Sequence, residues 1–395
     1  DMKKRTAFIG AILSLIPLGQ PLLIKTGVVL STTGLMLSIS ENLYASDADF
    51  YFDRAYEKAE KGDHYGAISY YTKVIELDPK DEKAYYNRGL SKDILKDYAG
   101  AISDYTKAIE LDPKYADAYN NRAILYEQLG DSYGAISDLS NAIKIDPEDA
   151  QAYYNRGFSK GTLQDYAGEI ADYTKAIELD PKYADAYYNR GISKNALEDY
   201  SGAIADYTKA IEFDPKYVNA YYNRGNTKGR IEDPYGAISD YTKAIEIDPQ
   251  NDDAFYNRGN SKAELEDYYG AISDYTKAIE IRPADDAYYN RGKAKSDLKD
   301  YKGSILDYSK AIEINPQYVD AYNNRGYAKD ELKDYYGAIA DYTKAIEINP
   351  QYANAYTNRG ISKEKLGDMS GACSDWRQAS YMGDDKAKKW VKQDC

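Results

Sequence analysis

Residues 184–217 read ADAYYNRGISKNALEDYSGAIADYTKAIEFDPKY, and this stretch decides the architecture. Small or apolar residues fall at Ala186, Tyr187, Gly191 and Leu197, then at Ala203, Ile204, Tyr207, Ala210 and Ile211. Gaps of three and four are helical spacing, so the stretch predicts two amphipathic helices. Asp199 stands where the second begins and can accept a bond from its first free N–H groups. Asp214-Pro215 ends that helix, because proline disfavours helix in the residue before it and has no N–H to donate. The result is an antiparallel helical hairpin.

Pro215 belongs to a row: Pro79, Pro113, Pro147, Pro181, Pro215, Pro249, Pro283, Pro316 and Pro350. Every step is 34 residues except that from Pro283 to Pro316, which is 33. With this proline as slot 32, the copies begin at Ala48, Glu82, Ala116, Ala150, Ala184, Val218, Asp252, Asp285, Val319 and Ala353. A fixed period of this length predicts one continuous stack in which each copy buries surface against its neighbours.

Slot by slot, Tyr stands at 4 (Tyr85, Tyr119, Tyr187), Gly at 8 (Gly89, Gly157, Gly191), Ala at 20 (Ala101, Ala203), Tyr at 24 and Ala at 27. This pattern resembles the tetratricopeptide repeat over residues 48–383. The resemblance implies an all-α, right-handed superhelical solenoid of ten helical hairpins. Residues 384–395 are predicted to form a C-terminal capping helix, with Trp390 against the last hairpin.

Two departures from the family pattern run through the array. Slot 7 is Arg in every copy, from Arg54 and Arg88 through Arg190 to Arg359, and slot 11 is mostly Lys (Lys92, Lys160, Lys194). Slot 23 is Asp in nine copies, Asp104, Asp172 and Asp240 among them. Arg and Asp on facing helices predict a structural ion-pair ladder, since the planar guanidinium fork matches a carboxylate. The alternative is a basic stripe for an anionic ligand.

The residue inventory leaves little for catalysis. His64 is the only histidine, with no nucleophile motif near it, and no Gly-rich phosphate loop is present. No Cys/His cluster has zinc spacing, so neither a metal nor another cofactor is expected. Paired acids such as Glu198-Asp199 recur at the inter-helix turn and read as caps. The formal charge of −14 argues against a nucleic-acid partner.

Residues 1–45 differ in kind. Lys3, Lys4 and Arg5 precede an uncharged stretch from Thr6 to Ile24, and after Lys25 a second runs from Thr26 to Ser40. A basic start before an apolar segment reads as a signal peptide or a membrane anchor. Either places the repeats outside the cytosol, in a periplasmic or lumenal compartment. There, the two cysteines, Cys373 and Cys395, are expected to form a disulfide.

The resemblance implies that the first helices line a concave groove for a segment of another protein. Slots 2, 5, 6, 9, 12 and 13 form one stripe by their spacing. The candidate groove residues are Tyr154, Asn155, Tyr188, Asn189, Tyr222, Asn223, Tyr256, Asn257 and Asn290 at slots 5 and 6, with Asn226, Asn260 and Lys293 at slot 9. Tyrosine supplies contact area at low rotamer cost, and asparagine can bond a peptide backbone as donor and acceptor. The other reading of these asparagines is that they only tie adjacent helices. The family's clamp for a C-terminal carboxylate is missing: slot 5 is never Lys, and slot 2 is usually acidic, as in Asp117, Asp185 and Asp253. A neutral or basic segment therefore suits the groove. Glu169 in the small-residue slot 20 is expected to pair with Arg156 or Lys160. The sequence thus predicts a peptide-binding scaffold, with a structural spacer or self-associating array as the alternative.

Overall fold

The computed structural model describes residues 35–395, with side chains from Asp47 onward. The expected signal or anchor at residues 1–45 falls largely outside the described residues. The first described helix runs Leu35–Glu60 and so begins ahead of the first repeat. Among the described residues no helix is long and apolar enough to cross a membrane. The chain forms two compact parts, one ending at Asp104 and one beginning at Tyr105.

Every repeat is a helical hairpin. In the fifth, the helices are Ala184–Ala196 and Tyr200–Phe213; in the sixth, Val218–Arg230 and Pro234–Ile247. The Asp199 carboxylate accepts from the Gly202 N–H at 3.0 Å, and Pro234 occupies the first turn of its helix behind the Asp233 cap. The turn between helices places slot 15 at positive φ, on Gly130 and Gly367 but also on Lys96, Gln164, Glu198, Glu232, Glu266, Lys299 and Lys333. This left-handed residue directly follows the C-cap, Leu197 in the fifth repeat, and turns the chain out of each first helix.

The core is made of small residues and rings. Ala186, Ala203 and Ala210 are fully buried, and so are the slot-24 rings Tyr173, Tyr207 and Tyr308. Glycine at slot 8 lets each ring lie on the first helix: a Cβ on Gly191 would stand 2.7 Å from Tyr207 Cε1. After the last hairpin, the helix Asp385–Asp394 sets Trp390 against Trp376, with ring centroids 5.1 Å apart. Cys373 and Cys395 are joined by a disulfide that fastens the end of this helix to the preceding one.

Candidate functional site

The Arg and Asp ladder is internal. Arg190 donates from Nε and Nη2 to the two oxygens of Asp206 at 2.8 and 2.7 Å, and from Nη1 to Thr174 Oγ1 of the preceding repeat at 3.0 Å. Lys194 reaches the same carboxylate at 2.8 Å, and the guanidinium lies over the Tyr187 ring at 5.5 Å. The arrangement recurs at Arg156, Arg224, Arg258, Arg291, Arg325 and Arg359. With the Asp206 side chain only 5% exposed, these cations are consumed by a buried carboxylate and offer no basic stripe. The array ends break the pattern. Arg54 pairs with Glu57 in its own helix, and slot 25, a hydroxyl in all earlier repeats, is Arg377 in the last, which donates to the Cys395 carbonyl.

The groove candidates form a second ladder. Asn189 Nδ2 donates to Tyr154 Oη, Asn223 to Tyr188, Asn257 to Tyr222 and Asn290 to Tyr256, at 2.8–2.9 Å. Each bond joins slot 6 of one repeat to slot 5 of the one before, so these asparagines do tie repeats together. Asn155 instead accepts from Gln151 one turn earlier. All of these side chains are half-buried, and burial raises the Tyr222 and Tyr256 hydroxyls above the usual tyrosine range.

Slot 9 extends this network in the middle of the array. Asn226 Oδ1 accepts from Tyr241 Oη and Asn257 Nδ2; Asn260 Oδ1 accepts from Tyr275 Oη and Asn290 Nδ2. The polar slot 9 thus satisfies the hydroxyl of a buried core ring, which a nonpolar side chain there could not do. Lys293 is exposed. Beside it lies a recess of about 320 Å³ walled by Asn260, Glu264, Tyr268, Asn290, Lys293 and Asp297, with Ala263, Ala294 and Tyr275 also lining it.

One set of groove residues escaped the sequence reading. At slot 34, the rings of Tyr183, Tyr217 and Tyr318 pack on the slot-5 tyrosine, and the hydroxyls of these three and of Tyr352 reach slot 2. Tyr183 lies 4.9 Å from Tyr154 and Tyr217 4.8 Å from Tyr188; Tyr217 donates to Asp185, Tyr318 to Asp286 and Tyr352 to Asp320. Burial first, then the Asp185 charge, holds the Tyr217 hydroxyl protonated far above its ordinary range. Where slot 34 is Asp149 or Asn251, the side chain caps the next helix instead. The alternation between tyrosine and cap residue was the available signal. In the seventh repeat this residue is the missing one, and Arg282 bonds Asp252 and Asp253 across the shortened link.

Glu169 is wholly buried, lying over Gly161, where no side chain would fit beside its carboxylate. Arg156 and Lys160 both go to Asp172, at 2.7 Å each. Among the described residues no group of three or more His, Cys, Asp or Glu is placed to hold a metal ion.

Among curated proteins no sequence match is found. Solved structures with similar folds include MamA, 28% identical over 42% of this chain and 96% of that one, with a TM-score of 0.40. YrrB, described as a TPR protein with an unusual peptide-binding site, is 23% identical over 47% of this chain and 97% of its own, at 0.43. Yeast Tom70 is 17% identical over 87% and 93%, at 0.37. Family models described as tetratricopeptide repeat match residues 48–81, 116–149, 218–251, 252–285 and 319–352. One described as TPR repeat matches 94–130, 162–195, 193–231 and 296–330. The matches cover well over half of the chain, which belongs to the tetratricopeptide-repeat family of non-catalytic protein-interaction scaffolds.

Proposed function

We propose that the first helices hold an extended segment of a partner protein along the Tyr/Asn ladder. The observation that carries this reading is the half-buried state of the ladder from Tyr154 to Asn290. Its side chains are ordered by hydrogen bonds to each other, yet each keeps surface for a ligand, so little rotamer entropy remains to be lost on binding. The acids at slot 2 favour a neutral or basic segment. The same inter-repeat bonds also favour the spacer reading, since they are what an empty array needs for stiffness.

The two part in one experiment. Tyr222→Ala with Asn226→Ala is expected to release partners crosslinked and captured from the native cell while leaving the array folded by circular dichroism. Partners retained in full, with oligomers unchanged on a sizing column, would instead establish the spacer. We propose further that the array works outside the cytosol. The basic-then-apolar start at Lys3–Ile24 and the Cys373–Cys395 disulfide support this placement. A mass spectrum of the mature amino terminus tests it.

A further inference from the structure

We propose that the recess spanning the seventh and eighth repeats takes an arginine side chain of the bound segment. The inference rests on the groove reading above and names the residue that anchors the segment.

Three features of the recess point to arginine. The first is charge. Glu264 and Asp297 outnumber Lys293, which leaves a net negative site suited to one cation. Along slot 13 the acids are Glu60 in the first repeat and then a run of Glu264, Asp297 and Glu331, which follows Arg230 and precedes Lys365. Glu331 already bonds Tyr301 and Tyr327, whereas Glu264 and Asp297 border the recess. Burial raises the Asp297 carboxyl, and only Lys293 opposes that shift. A carboxylate there gains from a cation that brings its own N–H donors.

The second feature is the pattern of acceptors. Asn290 spends its NH2 on Tyr256 and Asn260, so its carbonyl end is left to accept from a ligand. With the Glu264 and Asp297 carboxylates it offers acceptors on several sides of the space. A guanidinium carries five N–H donors in a fixed plane; an ammonium is a compact and strongly hydrated point charge.

The third is the ring. Tyr268 borders the recess, and a planar cation stacks on such a face where an ammonium is held less well by its hydration. The small residues Ala263 and Ala294 leave the volume open. At slot 12 the preceding repeat has Gly229 and the two following ones the larger Ser296 and Asp330, so the small Ala263 keeps the space open on this side.

The probes are three capped pentapeptides, Gly-Gly-X-Gly-Gly with X arginine, lysine or glutamine, titrated into the full chain and followed by ligand-observed NMR. The arginine peptide is expected to bind about tenfold tighter than the glutamine peptide, and tighter than the lysine peptide. Glu264→Gln should remove most of that preference. Lys293→Ala should strengthen arginine binding, an effect of opposite sign that a folding defect cannot mimic. Both side chains are exposed, and unchanged melting curves confirm the fold. Equal binding of arginine and glutamine peptides, or an unaltered preference in Glu264→Gln, overturns the inference. If those peptides bind equally and are lost equally on Tyr222→Ala, the groove reading stands while the arginine subsite falls. If no peptide binds, the subsite also falls, and the capture experiment above decides the groove separately.

Discussion

Arg190 makes three kinds of contact at once, and each has a different legibility in the sequence. Its pairing with Asp206 could be read from two residue types repeating 16 positions apart. The hydroxyl of Thr174 could not, because it comes from the preceding repeat and Thr also bonds locally to Ile170. Lys194, on the same carboxylate, was read as a departure without a partner. The third repeat separates these roles, since Tyr126 stands there in place of the lysine. Removing Arg122 alone, as leucine, is expected to cost about 3–5 kcal/mol in urea unfolding, because the buried Asp138 loses its only cation among the described residues. Arg190→Leu should cost less, because Lys194 stays on Asp206. Replacing both members should be nearly neutral for Arg122→Leu with Asp138→Leu. The matching pair Arg190→Leu with Asp206→Leu should remain destabilising, because Lys194 is then left without its acid.

At the scale of the element, the hairpin was readable and its turn was not. Apolar spacing and the proline stop located both helices, since each depends on residue type at a fixed interval. The left-handed residue between them depends on backbone geometry, and Lys, Gln or Glu occupies it in seven repeats against Gly in three. The glycines Gly62, Gly130 and Gly367 in the same slot were the clue. A side chain at φ near 63° carries strain that glycine lacks. Glu198→Gly is therefore expected to stabilise the array by about 0.5–1 kcal/mol, part of the relief being offset by the freer unfolded chain. A higher urea midpoint at unchanged slope would show it; a lower midpoint would contradict it. The groove sits between these cases. Its tyrosines and asparagines could be picked out by slot, but their bonding to one another needed the packing of consecutive repeats.

Over the whole molecule, the buried members among the 45 tyrosines make the protein sensitive to base. Burial pushes the Tyr289 hydroxyl from an ordinary value near 10 up to about 12, and raises Tyr222 and Tyr256 as well. A folded value above the unfolded one means that the folded state holds its protons more tightly. The stability is then complete below pH ~10 and falls as pH rises from about 10 through about 12. Tyrosinate absorbance from the buried rings, Tyr222, Tyr256 and Tyr289 among them, is expected to appear late and to coincide with loss of helix. Complete titration of all tyrosines with the helix intact would contradict this.

The ladders also fix how such a chain can change length. From the fifth to the ninth, each repeat meets the one before through the same two slots, Arg to a hydroxyl and Asn to a tyrosine hydroxyl. Excising residues 218–251 would bring Arg258 to Thr208 and Asn257 to Tyr188, the partners that Arg224 and Asn223 now use. The shortened protein is expected to fold with full helicity per residue, whereas removal of 30 residues at the same place should not. Where neighbouring junctions use the same partners, as here, the array can therefore grow or shrink by whole copies.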